Sequence, residues 1–171
     1  WSTDKQFNAK TSALLFANLG SLTFDFVARQ KVGGVNFSFY YFKQLPTIAP
    51  ASYSSVDHDF IVPRILELTY TAYDMSGWAE DLGFEGQPFA FDPDRRAVLR
   101  AELDAYYARL YGLTRDELRY ILDPADVMGD EYPSETFRVL KDREKREFDG
   151  EYRTQRQVLD AWDKLECGAL R

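Results

Sequence analysis

The amino-acid sequence predicts a mainly α-helical fold, a helical module with a small β remnant at its N-terminal end. Apolar residues recur at three-to-four-residue spacing over most of the chain, which is the pattern of helices with one buried face. Helix-start signals precede several of these runs, either Asp before Pro or Thr three residues before Glu or Gln. Only residues 35–42, which are rich in aromatic side chains, favour an extended strand.

Residues 10–46 contain three predicted elements in a row. A long helix comes first and ends in a basic cluster at residues 29–31. Gly33 and Gly34 then provide the backbone freedom that a helix stop and a sharp reversal require. The aromatic strand follows, and Pro46 ends any regular ladder. The apolar face of the helix consists of Leu14, Leu15, Leu19, Leu22, Phe26 and Val27.

Residues 47–56 predict a surface connection, because they are rich in Pro, Ser and Ala and lack apolar periodicity. Helical patterns follow, and Pro63 is compatible with the first of them if it lies in the first turn. We expect Asp92 to cap the third, and capping boxes at Thr114 and Thr154 to open later ones. The predicted helices are 59–73, 76–82, 93–111, 114–122, 133–147 and one that begins near 154.

Two connections between these helices have distinct compositions. The Gly/Pro loop 83–93 carries Phe84, Phe89 and Phe91, whose rings are expected to pack onto the helical body. Residues 125–132 are predicted to form a second loop.

The chain of 171 residues has the size of one domain, or of one domain with an appendage, and can bury a sizeable core. Cys167 is the only cysteine, which excludes a disulfide within one chain and is typical of a reducing compartment. No apolar run approaches the roughly 20 residues that span a membrane. A soluble cytoplasmic protein is therefore expected. Because the chain begins with Trp1 rather than Met, it is expected to be a piece of a longer protein.

Charge is distributed unevenly along the chain, whose net charge is -7. Residues 1–50 contain five basic and two acidic residues, a balance of +3, which leaves -10 for residues 51–171. This asymmetry is compatible with one basic, DNA-facing edge on an acidic body. The same charge asymmetry is expected if both parts of the chain simply have ordinary solvated surfaces.

Motifs for catalysis are missing from the sequence. An adenine-specific methyltransferase needs an Asn-Pro-Pro-Tyr type motif for the flipped base and a glycine-rich turn for its methyl donor, and neither occurs here. No acidic residue lies two positions before a lysine, as a common type of metal-dependent nuclease requires. His58 and Cys167 are the only good zinc ligands and lie far apart in sequence. No catalytic residue and no metal site are predicted.

A glycine turn flanked by cations is the best candidate for a binding site. Lysine and arginine side chains at such a turn suit DNA phosphates, and an asparagine amide can read a base edge or position the strand. Alternatively, Arg29 and Lys31 only complement the negative end of the helix dipole. The candidate DNA-binding residues are Arg29, Lys31, Gly33, Gly34, Asn36 and Lys43.

Several runs of this sequence carry a family resemblance. LLFANLGSLTFDFVARQKVGG (14–34), Asn36-Phe37 and KQLP (43–46) resemble the end of the target recognition domain of restriction-modification proteins. The similarity is to the large fused adenine-specific DNA methyltransferases of type II/IIG systems and, more distantly, to type I specificity subunits. The C-terminal helical region of the same enzymes is similar to RAELDAYYARLYGLTRDELRYILDP (100–124), YPSETFRVLKDRE (132–144) and GEYRTQRQVLDAW (150–162). Gly20 departs from the family pattern, which has a residue with a side chain there.

This resemblance implies a division by role. Residues 1–50 would be the end of a target recognition domain, and residues 51–171 a C-terminal helical module. The fragment would be non-catalytic and would position duplex DNA for adenine methylation by an upstream methyltransferase domain. That domain of the parent protein, rather than the fragment, would use S-adenosylmethionine. No membrane partner is expected.

The competing hypothesis is a helical interaction or scaffold module without DNA contact. The two hypotheses differ at three residues. Clustering of the cations on one exposed face favours recognition, whereas pairing with local acids favours a scaffold. The three residues are Arg29, Lys31 and Lys43.

Overall fold

The computed structural model describes residues 8–34, 36–133 and 136–171. Within these ranges the chain is mainly helical and contains no strand, which confirms the predicted fold class. Two short 3₁₀ helices, Pro50–Ser52 and Tyr73–Met75, accompany the α-helices. The α-helices are α1 (Ala9–Gly20), α2 (Leu22–Lys31), α3 (Phe39–Phe42), α4 (Ser55–Thr69), α5 (Ser76–Asp81), α6 (Pro93–Leu110), α7 (Arg115–Leu122), α8 (Pro124–Met128), α9 (Arg138–Glu147) and α10 (Arg153–Glu166).

The chain divides into two compact units that alternate along the sequence. Unit 1 comprises Trp1–Gly20 and Thr47–Leu99, and unit 2 comprises Ser21–Pro46 and Arg100–Arg171. Each unit takes residues from both sides of position 50. The division predicted from the sequence, a recognition part at 1–50 and a helical module at 51–171, assigns roles and not compact units. It stays a prediction.

Unit 1 is built on the packing of α1 against α4. Leu14 of α1 and Ile61 of α4 are almost completely buried. Asn18, also buried, accepts the backbone N–H of Ile48 through Oδ1 at 2.9 Å. Because a buried amide needs such a partner, this bond holds the segment that follows Pro46 to α1.

Helix α4 begins four residues earlier than predicted and passes through Pro63. Its start is a capping box, in which Ser54 and Asp57 each satisfy a backbone N–H of the other. Pro63 therefore lies in the middle of the helix, so the condition that it lie in the first turn is not met. Arg64 supports this turn by donating from Nη1 to the Phe60 carbonyl at 2.7 Å.

An aromatic cluster closes the other part of unit 1. The rings of Phe84 and Phe89 stack with centroids 5.1 Å apart, and both pack against buried Tyr70 and its neighbours. The backbone N–H of Phe89 donates to the Tyr70 carbonyl at 2.9 Å. Two of the three predicted rings thus hold the loop, whereas Phe91 is exposed beside Arg96.

Unit 2 has a separate core made by α7, α10 and the C-terminal part of α6. Asp92 and Thr114 cap α6 and α7 as predicted. The second predicted box is wrong, because α10 begins at Arg153 and Thr154 lies inside it. The core residues are Ala101, Ala105, Ala108, Leu118, Leu122, Val158, Ala161 and Trp162.

The region 123–137 also differs from its prediction. Residues 125–128, part of the loop predicted over 125–132, belong to α8, because Asp123 caps this helix and Pro124 opens it. The helix expected from 133 begins instead at Arg138. Residues 134 and 135 lie outside the described ranges.

The predicted N-terminal helix is two helices, α1 and α2. Ser21 has extended backbone angles, and its Oγ accepts the N–H of Phe24 at 3.3 Å, so it caps α2. A serine cap favours a new helix start over continuation. Among the described residues no single helix is long and apolar enough to cross a membrane, although α1 and α2 taken together reach that length and composition.

The predicted β remnant is not a strand. Val35 lies outside the described ranges, residues 36–38 are irregular, and Phe39–Phe42 is the short helix α3. The Ser38 carbonyl accepts the N–H groups of Tyr41 and Phe42, at 3.0 and 3.1 Å. Since no strand of the described chain pairs with this segment, local bonds satisfy its backbone instead.

Candidate nucleic-acid interface

Arg29 lies in the last turn of α2, inside unit 2, and is held by two neighbours. Its Nε is 3.0 Å from both carboxylate oxygens of Asp25, one turn earlier in the helix. Its guanidinium carbon lies 5.4 Å from the centroid of the Phe137 ring. An exposed pair of this kind contributes little to stability. Such pairing with a local acid favours the scaffold hypothesis for Arg29.

Lys31 is the final residue of α2 and is exposed. No acidic side chain of the described residues pairs with it. The helix ends because Val32 turns extended, while its N–H still donates to the Ala28 carbonyl at 2.9 Å. Lys31 therefore complements the helix dipole and keeps its ammonium available to an anion.

Gly33, Gly34 and Asn36 follow in an exposed segment. Neither glycine has a positive φ, and a Cβ on either would meet no atom of the described residues within 4 Å. The helix ends at the extended residue Val32, so neither glycine adopts a left-handed conformation to stop it. Asn36 is exposed, so its amide faces solvent rather than a core partner.

Lys43 follows α3 and lies against an aromatic ring. Its Nζ is 4.7 Å from the centroid of Phe39, and no acidic residue of the described chain pairs with it. A cation over a ring face in solvent is held weakly, by about 0.5–1 kcal/mol. Lys43 can therefore leave the ring to meet a phosphate.

Three exposed aromatic side chains lie in the same segment, and the sequence pattern did not single them out. Phe37, Phe39 and Tyr40 are 53%, 68% and 73% exposed. The sequence predicts an aromatic-rich strand over residues 35–42 and does not indicate whether these rings are exposed. A stretch without acids was the available signal, because residues 26–46 contain Arg29, Lys31 and Lys43 but no Asp or Glu.

The structure does not join the three cations by any direct contact among the described residues. Arg29 and Lys31 are two positions apart on α2, so their side chains do not face the same way. What the segment offers is two cations without acidic partners, an exposed amide and three exposed rings. These groups suit phosphates and the faces or edges of bases.

A polar cavity of about 410 Å³ in unit 2 is lined by several charged side chains. Its arginines are all paired, Arg115 with Asp163, Arg119 with Asp126 and Arg156 with Glu151. The bond from Arg115 lowers the pKa of the Asp163 carboxyl, so both partners stay charged. The positive charges that line this cavity are therefore neutralised by neighbouring carboxylates.

Metal-ligating side chains do not gather in the part of the chain that the structure describes, where no group of three or more His, Cys, Asp or Glu is placed to hold an ion.

Comparison of this chain with protein-family models, with curated proteins and with solved structures finds no match.

Proposed function

We propose that this chain is the non-catalytic DNA-recognition and C-terminal segment of a restriction-modification DNA methyltransferase. In this proposal it positions duplex DNA for adenine methylation by an upstream catalytic domain, which binds S-adenosylmethionine. The fragment itself takes no cofactor or metal. We place the parent in the cytoplasm, where a single unpaired thiol such as Cys167 is stable.

One observation carries the proposal. Residues 26–46 form a segment without acidic residues in a chain whose net charge is -7. Within that segment Lys31 and Lys43 have no acidic partner among the described residues, and Asn36 is exposed. Basic groups concentrated on an otherwise acidic protein indicate a site for a polyanion. The sequence resemblance at residues 14–34 and 43–46 supports DNA as that polyanion.

The alternative is a helical interaction or scaffold module, and the Arg29–Asp25 pair favours it. A scaffold needs its charges only for solubility and for helix ends. Under this alternative the chain does not bind DNA at all, which makes the two functions separable by one binding experiment.

That experiment is fluorescence anisotropy of a labelled duplex oligonucleotide, titrated with the 171-residue chain at several salt concentrations. Three phosphate contacts would give a slope of log affinity against log salt of about -3, with a dissociation constant of about 10⁻⁴ M or weaker at physiological salt. Replacing Arg29, Lys31 and Lys43 with Ala should weaken binding and flatten the slope by about one for each phosphate that is no longer neutralised.

A control variant removes the same amount of charge elsewhere in unit 2. Arg138, Arg143 and Lys145 are exposed on α9, and their replacement with Ala changes the net charge equally. We expect this control to bind as the wild type does. Equal losses in both triple variants, or no duplex binding by the wild type, would contradict the assignment and favour the scaffold.

A further inference from the structure

Three aromatic rings within residues 37–40 are exposed and indicate a binding surface. Phe37, Phe39 and Tyr40, here named the aromatic platform, are each more than half exposed, although aromatic side chains of this size usually bury much of their surface. Clusters of exposed apolar side chains commonly mark binding sites.

Each ring of the platform contacts one partly buried aromatic ring. Phe39 stacks on half-buried Phe42, with centroids 6.3 Å apart and an interplanar angle of 17°. Phe37 meets the same Phe42 ring edge-on at 6.2 Å, and Tyr40 meets half-buried Tyr41 edge-on at 5.8 Å. Because each exposed ring contacts a partly buried one, the rings are held in place before any partner arrives.

Charge decides which partner fits. The platform lies inside the acid-free segment 26–46, and the Lys43 ammonium lies 4.7 Å from the Phe39 ring. A phosphate bound by Lys43 would therefore lie close to a ring on which a base can stack. A suitable partner therefore supplies a phosphate for Lys43 and a flat aromatic group for the ring. Polynucleotides supply both.

Duplex DNA cannot stack its bases on the platform, because paired bases expose only their edges in the grooves. Unpaired bases expose their faces, and these stack on aromatic side chains with little dependence on sequence. We propose that the aromatic platform binds the unpaired bases of single-stranded DNA, while Lys43 and Lys31 contact the flanking phosphates. This inference rests on the proposed function for its phosphate contacts, and adds a preference for unpaired strands.

The test compares two probes on the 171-residue chain, labelled oligothymidylate and a duplex of the same length. The wild type should bind the single strand more tightly than the duplex. Replacing Phe39 and Tyr40 together with Leu keeps apolar bulk but removes the stacking faces. This variant should lose at least about fivefold in affinity for the single strand, and its affinity for the duplex should change by no more than about twofold.

The matched control replaces Phe16 and Phe91 with Leu, because both are exposed aromatic residues of unit 1. Its affinity for both probes should equal that of the wild type, and circular dichroism should show the same helix content for all variants. An unchanged single-strand affinity in the Phe39/Tyr40 variant, or the same loss on both probes, overturns the platform. Self-association of the wild type that this variant abolishes would also overturn it, since the partner would then be a second copy of the chain.

The two proposals can fail separately. If the wild type binds duplex through its cations but binds the single strand no more tightly, the platform is wrong and the proposed function stands. If the wild type binds only the single strand and loses that binding in the Phe39/Tyr40 variant, the platform stands and duplex recognition by this chain is wrong.

Discussion

Asp104 accepts the backbone N–H of Leu22 through Oδ1 at 2.8 Å, although the two residues are 82 positions apart in sequence. Leu22 is the first residue of α2, whose N–H has no partner within its own helix. A carboxylate on α6 thus caps α2 from outside. Asp104 is only 7% exposed, and this burial raises the pKa of its carboxyl to about 7.

The pH dependence of stability should follow from Asp104. Burial has the largest effect on the folded-state pKa of Asp104 and raises it. The hydrogen bond from the Leu22 N–H and the charge of Arg100 lower this pKa, and the charge of Asp25 raises it. The folded state therefore binds a proton that the unfolded state releases at a pKa near 3.8. The unfolding free energy should fall as pH rises from about 4 to about 7, by on the order of a few kcal/mol, and should then level off.

Replacing Asp104 with Asn keeps an oxygen for the Leu22 N–H and removes the titration. Denaturant unfolding of the variant should show higher stability than the wild type at about pH 8 and a flatter profile at lower pH. Profiles that stay parallel across this range would show that the carboxyl is not the group responsible.

Replacing a glycine with alanine should cost more stability where the glycine has a positive φ than in the exposed segment that contains Gly33 and Gly34. Gly33→Ala and Gly34→Ala should change the unfolding free energy by no more than about 0.5 kcal/mol, because neither has a positive φ and neither site is crowded. Gly112→Ala should cost roughly 1–2 kcal/mol, because Gly112 has a φ of +74°. Denaturant midpoints measure all three. A large loss at Gly33 or Gly34 would show that this segment is constrained.

Glu144 should matter far more than its neighbour Glu147. Its two carboxylate oxygens accept the N–H and the Oγ hydroxyl of Thr154, at 2.7 and 2.6 Å, in the first turn of α10. Glu144→Ala leaves that N–H without its acceptor at a half-buried place and should cost about 1–3 kcal/mol. Glu147→Ala, at an exposed pair 3.9 Å from Arg143, should cost less than about 1 kcal/mol. Equal costs in thermal unfolding would refute this role.

The core of unit 2 should respond to the loss of a single side chain. Leu118 is completely buried among alanines and Trp162, so Leu118→Ala leaves a cavity and should cost about 2–5 kcal/mol. Val139→Ala, on the exposed side of α9, is the control and should stay within about 0.5 kcal/mol. Chemical denaturation of both variants tests the prediction, which fails if their midpoints coincide.

Local signals predicted much of the helical structure. Asp92 and Thr114 act on N–H groups two or three residues away, so their motifs are readable without the fold. The strand expected at residues 35–42 needed a distant pairing partner, and no local pattern reveals whether one exists. The serine cap at Ser21 was hidden inside continuous apolar periodicity.

At the candidate site, sequence could name the cations but not their surroundings. The acidic partner of Arg29, Asp25, is one helical turn away, but the ring that Arg29 meets, Phe137, lies more than a hundred residues away. The exposure of Phe39 and Tyr40 depends on α3 being too short to bury a face. Both follow from packing, which residue spacing within one segment does not encode.

The alternation of the two units along the chain has a consequence for biosynthesis. Within this chain Trp1–Gly20 is synthesised before residues 55–69, so α1 cannot pack against α4 until those residues have followed. The segment Ser21–Pro46 must wait longer, since its partners lie beyond Arg100. Until then the exposed apolar side chains of α2 are open to chaperones and to wrong partners. Neither unit is therefore made by one continuous stretch of chain, and α2 lacks its partners in unit 2 until the residues beyond Arg100 have been synthesised.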